Sequence, residues 1–176
     1  MLLVGGASKR FGSAKALARV GDETFAERAW RVLGEACDER LVVGKRNELA
    51  LPFDVLDDET EVRAPIAGVV AGLRAAAHDV TVFLPVDCPR ITPAALRTFG
   101  EACRDVAVTA EGPLPGAWAR SALPVLERRL RESRLALVDA YDDLDVAFVD
   151  VDPSVVADAD TPEELEQLLF HRPRPR

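Results

Sequence analysis

A chain of 176 residues that is 48% hydrophobic and 30% charged has the make-up of one soluble globular domain, long enough to bury roughly 70% of its unfolded surface. A net charge of −8 and a pI near 4.9 argue against a nucleic-acid partner, because an acidic surface repels phosphate backbones at long range. A small phosphorylated substrate, held by local cations and a metal, stays open. No apolar run approaches the roughly 18 residues of a membrane span, and no basic-then-apolar leader opens the chain. Three widely spaced cysteines and two histidines suggest neither a disulfide framework nor a protein-built zinc site, so a reducing cytoplasm is the expected setting.

In chain order, residues 2–17 (LLVGGASKRFGSAKAL) come first. The apolar run Leu2, Leu3, Val4 predicts a strand that enters a glycine-rich turn at Gly5 and Gly6. Glycines let backbone N–H groups approach an anion closely, and Lys9, Arg10 and Lys15 can neutralise phosphate charge. The spacing is not that of a P-loop, where four residues separate the glycines and lysine follows at once; here five residues separate Gly6 from Gly12. Nor is it the Gly-x-Gly-x-x-Gly of dinucleotide binders. A turn is expected at 20–22, a helix over 24–36, and strands over 40–43 and 52–56, the latter ending in Asp57, Asp58 and Glu59. Residues 66–77 predict a helix whose small residues Ala67, Gly68, Ala71, Gly72 and Ala75 would let it lie tightly on a sheet.

Val80–Leu84 is the strongest strand signal in the chain, and it ends at PVDCP. Thr92 and Pro93 open a helix that runs to about Cys103. A strand over 106–109, an irregular turn over 112–116, helical stretches over 123–130 and 135–141, and a last strand over 146–151 follow. Thr161, Pro162 and Glu164 have capping-box spacing ahead of a helix over 162–169. Residues 1–170 are expected to form a single domain, with the Arg/Pro tail 171–176 disordered. Alternating strands and helices, with nearly unbroken apolar strands, predict an α/β fold: a mostly parallel sheet with helices on both faces. Ligands in such sheets bind beyond the carboxyl ends of the strands, and the loops after Val4, Leu56 and Leu84 all lie at such ends.

Asp87 is the leading candidate residue. It stands just past a buried strand in a proline-flanked loop, and a carboxylate with phosphate oxygens and water is a common Mg²⁺ shell; the alternative is a cap for the following helix. Asp160, ahead of Asp158, is a candidate second metal ligand or an Asx turn feeding Thr161. Cys88 reads as packing and Lys9 as a solvated side chain. Trp30 and Trp118 read as core, and no serine, cysteine or histidine is arranged as a nucleophile with its base.

The spacing of residues 2–17 resembles a nucleotidyltransferase signature, Leu-x-Gly-Gly-x-Ser-x-Arg-Met-Gly-x-x-Lys, and is most similar to the molybdenum cofactor guanylyltransferases. Leu3, Gly5, Gly6, Ser8, Arg10, Gly12 and Lys15 fall on it in order, with Phe11 for the methionine and Ala14 for the acid before the lysine. LPVDCP resembles that family's metal loop, and Ala64 to Gly68 its Gly-Pro-Leu-Ala-Gly; Pro113 to Trp118 resembles its Pro-Leu-x-x-Leu-aromatic segment. The resemblance implies a three-layer, Rossmann-like fold of the nucleotide-diphospho-sugar transferase type. It implies Mg²⁺ on Asp87 and Asp160, and nucleotide contacts from Leu3, Val4, Gly5, Gly6, Lys15, Asp57 and Asp87, with Lys15 and Arg10 on the triphosphate. The implied reaction is GMP transfer from GTP to the phosphate of molybdopterin, with release of pyrophosphate. Molybdoenzymes or cofactor-delivery proteins are possible protein partners. Asp158-Ala159-Asp160, where the family has Asn-x-Asn, leans instead toward the cytidylyl-transferring relatives. Transfer to a sugar or alcohol phosphate stays open, and so does a nucleotide-binding module without catalysis, which Ala14 and Ala64 keep in view.

Overall fold

The computed structural model describes residues 1–4, 15–45 and 51–170. In chain order they form β1 (Leu2–Leu3), a ribbon of β2 (Arg19–Val20) and β3 (Glu23–Thr24), α1 (Phe25–Ala36), β4 (Val42–Gly44), β5 (Val55–Asp57), α2 (Pro65–Ala75) and β6 (Val80–Pro85). Then come α3 (Pro93–Ala102), β7 (Val106–Thr109), β8 (Gly112–Ala119), α4 (Leu123–Arg131), β9 (Val146–Phe148), α5 (Pro153–Val156) and α6 (Pro162–Phe170). The main sheet has the order β5-β4-β1-β6-β8-β7-β9, with every pairing parallel except the two that β8 makes. Among the described residues no helix is long and apolar enough to cross a membrane.

Strand alternation divides the apolar residues between two layers. Leu2, Val42, Val82 and Leu84 pack with Phe25, Ala29, Val32, Leu96 and Phe99 of α1 and α3. Val43, Phe83, Val106 and Trp118 pack with Ile66, Val69, Val70, Leu73 and Leu126 of α2 and α4. The small-residue stripe of α2 is what lets it approach the sheet: a Cβ on Gly72 would stand 2.5 Å from the ring of Phe83, which is fully buried. The first helix begins at a reciprocal cap. Glu27 N–H donates to Thr24 Oγ1 at 3.2 Å, and Thr24 N–H donates to Glu27 Oε2 at 2.8 Å.

Two expectations are corrected. Residues 112–116 are not an irregular turn but the first half of β8, the antiparallel strand between β6 and β7. The two prolines that suggested a turn are tolerated because no rung of either ladder falls on 113–115. The β7 register jumps from Thr109↔Gly112 to Ala107↔Ala117, so a missing N–H costs nothing there. The stretch expected as a helix over 135–141 is a 3₁₀ segment, Leu137–Asp143, with Leu137 and Ala140 buried three apart, as three residues per turn requires. The tail 171–176 lies outside the described residues.

Candidate active site

The site is built where β1 and β6 end side by side. Leu3 pairs with Pro85, and Val86 N–H donates to Leu3 O at 3.2 Å, so the loop carrying Asp87 begins beside the exit of β1. On the other flank Val4 N–H donates to Val43 O at 2.9 Å. Gly44 approaches so closely that a Cβ there would lie 2.8 Å from Val4 O. The 3₁₀ turn Lys15–Leu17 is anchored to the start of α1 by Phe25 N–H, which donates to Ala18 O at 2.9 Å.

From that turn Lys15 reaches back across the strand ends. Its ammonium lies 2.8 Å from Asp87 Oδ2 and 2.6 Å from Asp160 Oδ1. Asp87, Asp158 and Asp160 each offer an oxygen within 4.8 Å of the others. The acids come from distant parts of the chain and are stitched together by the backbone. Ala159 N–H donates to Asp87 O at 3.0 Å, and the Cys88 thiol donates to Val156 O at 3.6 Å. Behind Asp160, Glu164 Oε2 accepts from the N–H groups of Asp160 (2.6 Å) and Thr161 (3.2 Å), while Thr161 Oγ1 accepts from Glu164 N–H (3.1 Å). The expected capping box is therefore present, and it also holds the backbone of a candidate ligand.

Burial alone would depress the Lys15 ammonium. The hydrogen bonds that the ammonium donates to the two carboxylates, and their charge, outweigh it and hold Lys15 above the ordinary lysine range. Cys88 is the opposite case: burial, then the charges of Asp87 and Asp158, push its thiol well up. It packs and does not react.

Of the residues singled out from sequence, Lys15, Asp87 and Asp160 are brought together, with Leu3 and Val4 at the adjoining strand end. Gly5, Gly6 and Arg10 lie outside the described residues. Asp57 closes β5 at the same rim but on the far side of β4 and β1. Three strand spacings of about 4.8 Å put it roughly 14 Å from the acids, too far to share their ion. Asp158, ranked behind Asp160 from sequence, belongs to the same cluster. Trp118 is fully buried, and Trp30 stacks on Phe53 with centroids 4.8 Å apart.

Residues 1–145 match the MobA-like NTP transferase domain. The chain belongs to that family of nucleotidyltransferases. Its relatives include the molybdenum cofactor guanylyltransferase of Desulfosudis oleivorans, 28% identical with 95% of this chain and 92% of that protein covered. Another is the "Probable molybdenum cofactor guanylyltransferase" of Opitutus terrae, 36% identical over 77% and 73% of the two chains. Among solved structures, molybdopterin-guanine dinucleotide biosynthesis protein A of Archaeoglobus fulgidus shares the fold at a TM-score of 0.76 and 21% identity, covering 95% of this chain and 94% of that one. In this chain β5, β4, β1 and β6 lie side by side and parallel, so their ends fall on one rim.

Proposed function

We propose that this nucleotidyltransferase moves GMP from GTP to the phosphate of molybdopterin, with Mg²⁺ as its metal and pyrophosphate as the second product. The reading is carried by one observation: Lys15, the last residue of the glycine signature, lies in contact with Asp87 and Asp160 at the exit of β1. That contact supports reading Lys15 and the acids as parts of one site. Three carboxylates in a compact all-oxygen cluster suit a hard divalent ion, and Asp87, Asp158 and Asp160 would hold it. When bound, Mg²⁺ offsets charge on the phosphates and makes the α-phosphorus a better electrophile.

The chain's own groups do the rest. Lys15 donates its N–H bonds to phosphate oxygens in place of the carboxylates it now touches, with Arg10 and the amides of Gly5 and Gly6 cradling the same anion. Asp57, roughly 14 Å along the rim by strand spacing, accepts from the base. A phosphate oxygen of the acceptor attacks the α-phosphorus and forms a new P–O bond. The bond to the bridging oxygen breaks, and pyrophosphate leaves with the electron pair. Positioning and charge neutralisation supply the rate without a covalent enzyme intermediate.

Purified protein should release pyrophosphate from GTP only with molybdopterin and Mg²⁺ present, and Asp87→Asn should lower kcat by about 10²–10³ while GTP still binds. Turnover retained in Asp87→Asn would overturn the metal role. The pair Asp158 and Asp160 favours a second reading, CTP in place of GTP. Calorimetry with each nucleotide decides between them, and tighter CTP binding would overturn the choice of base.

A further inference from the structure

We propose that Lys45 is a positioning residue for nucleotide recognition, holding Asp57 in its working orientation from the neighbouring strand. The proposal rests on the reading of Asp57 as a base contact. Lys45 follows directly on β4, whose last residue, Gly44, pairs with Asp57 and accepts from Asp58 N–H at 3.2 Å. The Lys45 ammonium donates to Asp58 Oδ1 at 2.5 Å and to Thr60 O. The side chains are only 17% and 9% exposed, whereas those of Arg31 and Glu35 on the surface of α1 are each about half exposed. A pair this buried constrains the loop in a way that a solvated pair does not.

The constraint leads to Asp57 through short links. Glu59 sits between the two groups that Lys45 holds, and its φ of 54° is in the left-handed region that residues with a Cβ rarely adopt. In that conformation Glu59 N–H donates to Asp57 Oδ1 at 2.8 Å. Thr60 N–H donates to Asp58 Oδ1 at 3.3 Å, and Val62 N–H to Thr60 Oγ1 at 3.1 Å, closing the loop on itself. Remove the ammonium, and Asp58 and Thr60 O lose their shared donor. Glu59 is then free to relax to negative φ, and Asp57 loses the N–H that fixes one carboxylate oxygen.

The test is Lys45→Met beside Lys45→Arg, with GTP and CTP affinity by calorimetry in Mg²⁺ and kcat and KM by pyrophosphate release. Lys45→Met should weaken GTP binding about tenfold with kcat within about twofold, and narrow the preference between GTP and CTP. Lys45→Arg should recover most of the affinity. In Asp57→Asn the same lysine change should add little, since both act through one contact. If Lys45→Met unfolds because Asp58 is left buried and charged, Lys45→Met with Asp58→Asn removes both charges and should show the same loss. An unchanged affinity in Lys45→Met, or a loss fully additive with Asp57→Asn, would overturn the proposal while Asp57→Asn alone still weakens GTP. Were Asp57→Asn itself silent, the base-contact reading would fall and the proposal with it.

Discussion

Lys15→Met keeps the length of the side chain and deletes its charge. In the wild-type protein the ammonium lies 2.8 Å and 2.6 Å from two acids, with the lysine side chain 10% exposed and those of Asp87 and Asp160 21% and 50% exposed. Without it, three carboxylates whose oxygens lie within 4.8 Å of one another lose the cation two of them share. At that distance each like-charged pair repels by about 3–4 kcal/mol at an effective dielectric of ~20, before solvent screens it. Breaking a buried pair costs about 3–5 kcal/mol and an exposed one about 0–1. With Asp160 half exposed the site falls between, and about 2 kcal/mol of destabilisation is expected. For a chain of this length that lowers Tm by about 4–8 °C at neutral pH. The sharper expectation concerns metal. A divalent ion can replace the missing monovalent one, so millimolar Mg²⁺ at fixed ionic strength should recover half or more of the lost Tm in the variant and move the wild type far less. Thermal unfolding with Mg²⁺ or EDTA reads both. A Lys15→Met protein as stable as wild type and indifferent to Mg²⁺ would refute the view that Lys15 compensates a cation site.

The same lysine sets an alkaline limit. Its folded pKa is raised, so its stabilisation is complete below the unfolded value of about 10.4 and is lost as pH rises through the folded one. Unfolding by denaturant should show the wild type losing stability above about pH 10.5, with Lys15→Met lacking that component. Glu164→Ala removes the acceptor for Asp160 and Thr161 N–H. It should cost about 1 kcal/mol, as lost caps do, and weaken Mg²⁺ binding measured by calorimetry. Gly72→Ala gains about 1 kcal/mol of helix propensity but drives a methyl to 2.5 Å from Phe83. Overpacking of about 1–3 kcal/mol should win, seen as a lower denaturant midpoint at unchanged slope.

What could be read from sequence was what local chemistry decides. The box at Thr161 and Glu164 and the β-branched run of β6 each carry their signal within a few residues, and each lies where expected. Strand β8 was not legible, because proline and glycine obey turn preferences unless two neighbouring strands impose an extended course, and neither neighbour is nearby in sequence. The partnership of Lys15 with two carboxylates was hidden for the same reason. Lysine after a glycine turn suggests phosphate, and only the return of the chain through α5 brings Asp158 and Asp160 back to Asp87.

That Lys15 meets the acids beside the end of β1 follows from topology more than from any motif. From β1 the chain crosses α1 to β4 on one side. It then moves to β5 and returns through α2 to β6 on the other side of β1. Crossovers between parallel strands keep one hand, so reversing direction sends α1 and α2 to opposite faces, and here they head separate core layers. Helices that part in this way leave an opening above the strands where the direction reverses, between the ends of β1 and β6. Val4 and Val86 mark those two ends, and Asp87 is the next residue. The antiparallel β8 then bounds the opening. Phe83 pairs with Gly116, so continuing that register carries residues 112–113 past Pro85, the end of β6, on the side of it away from Asp57. A chain with the same motifs but with β6 added beyond β5 would place Lys15 and Asp87 three strand spacings apart, about 14 Å, and their contact could not form.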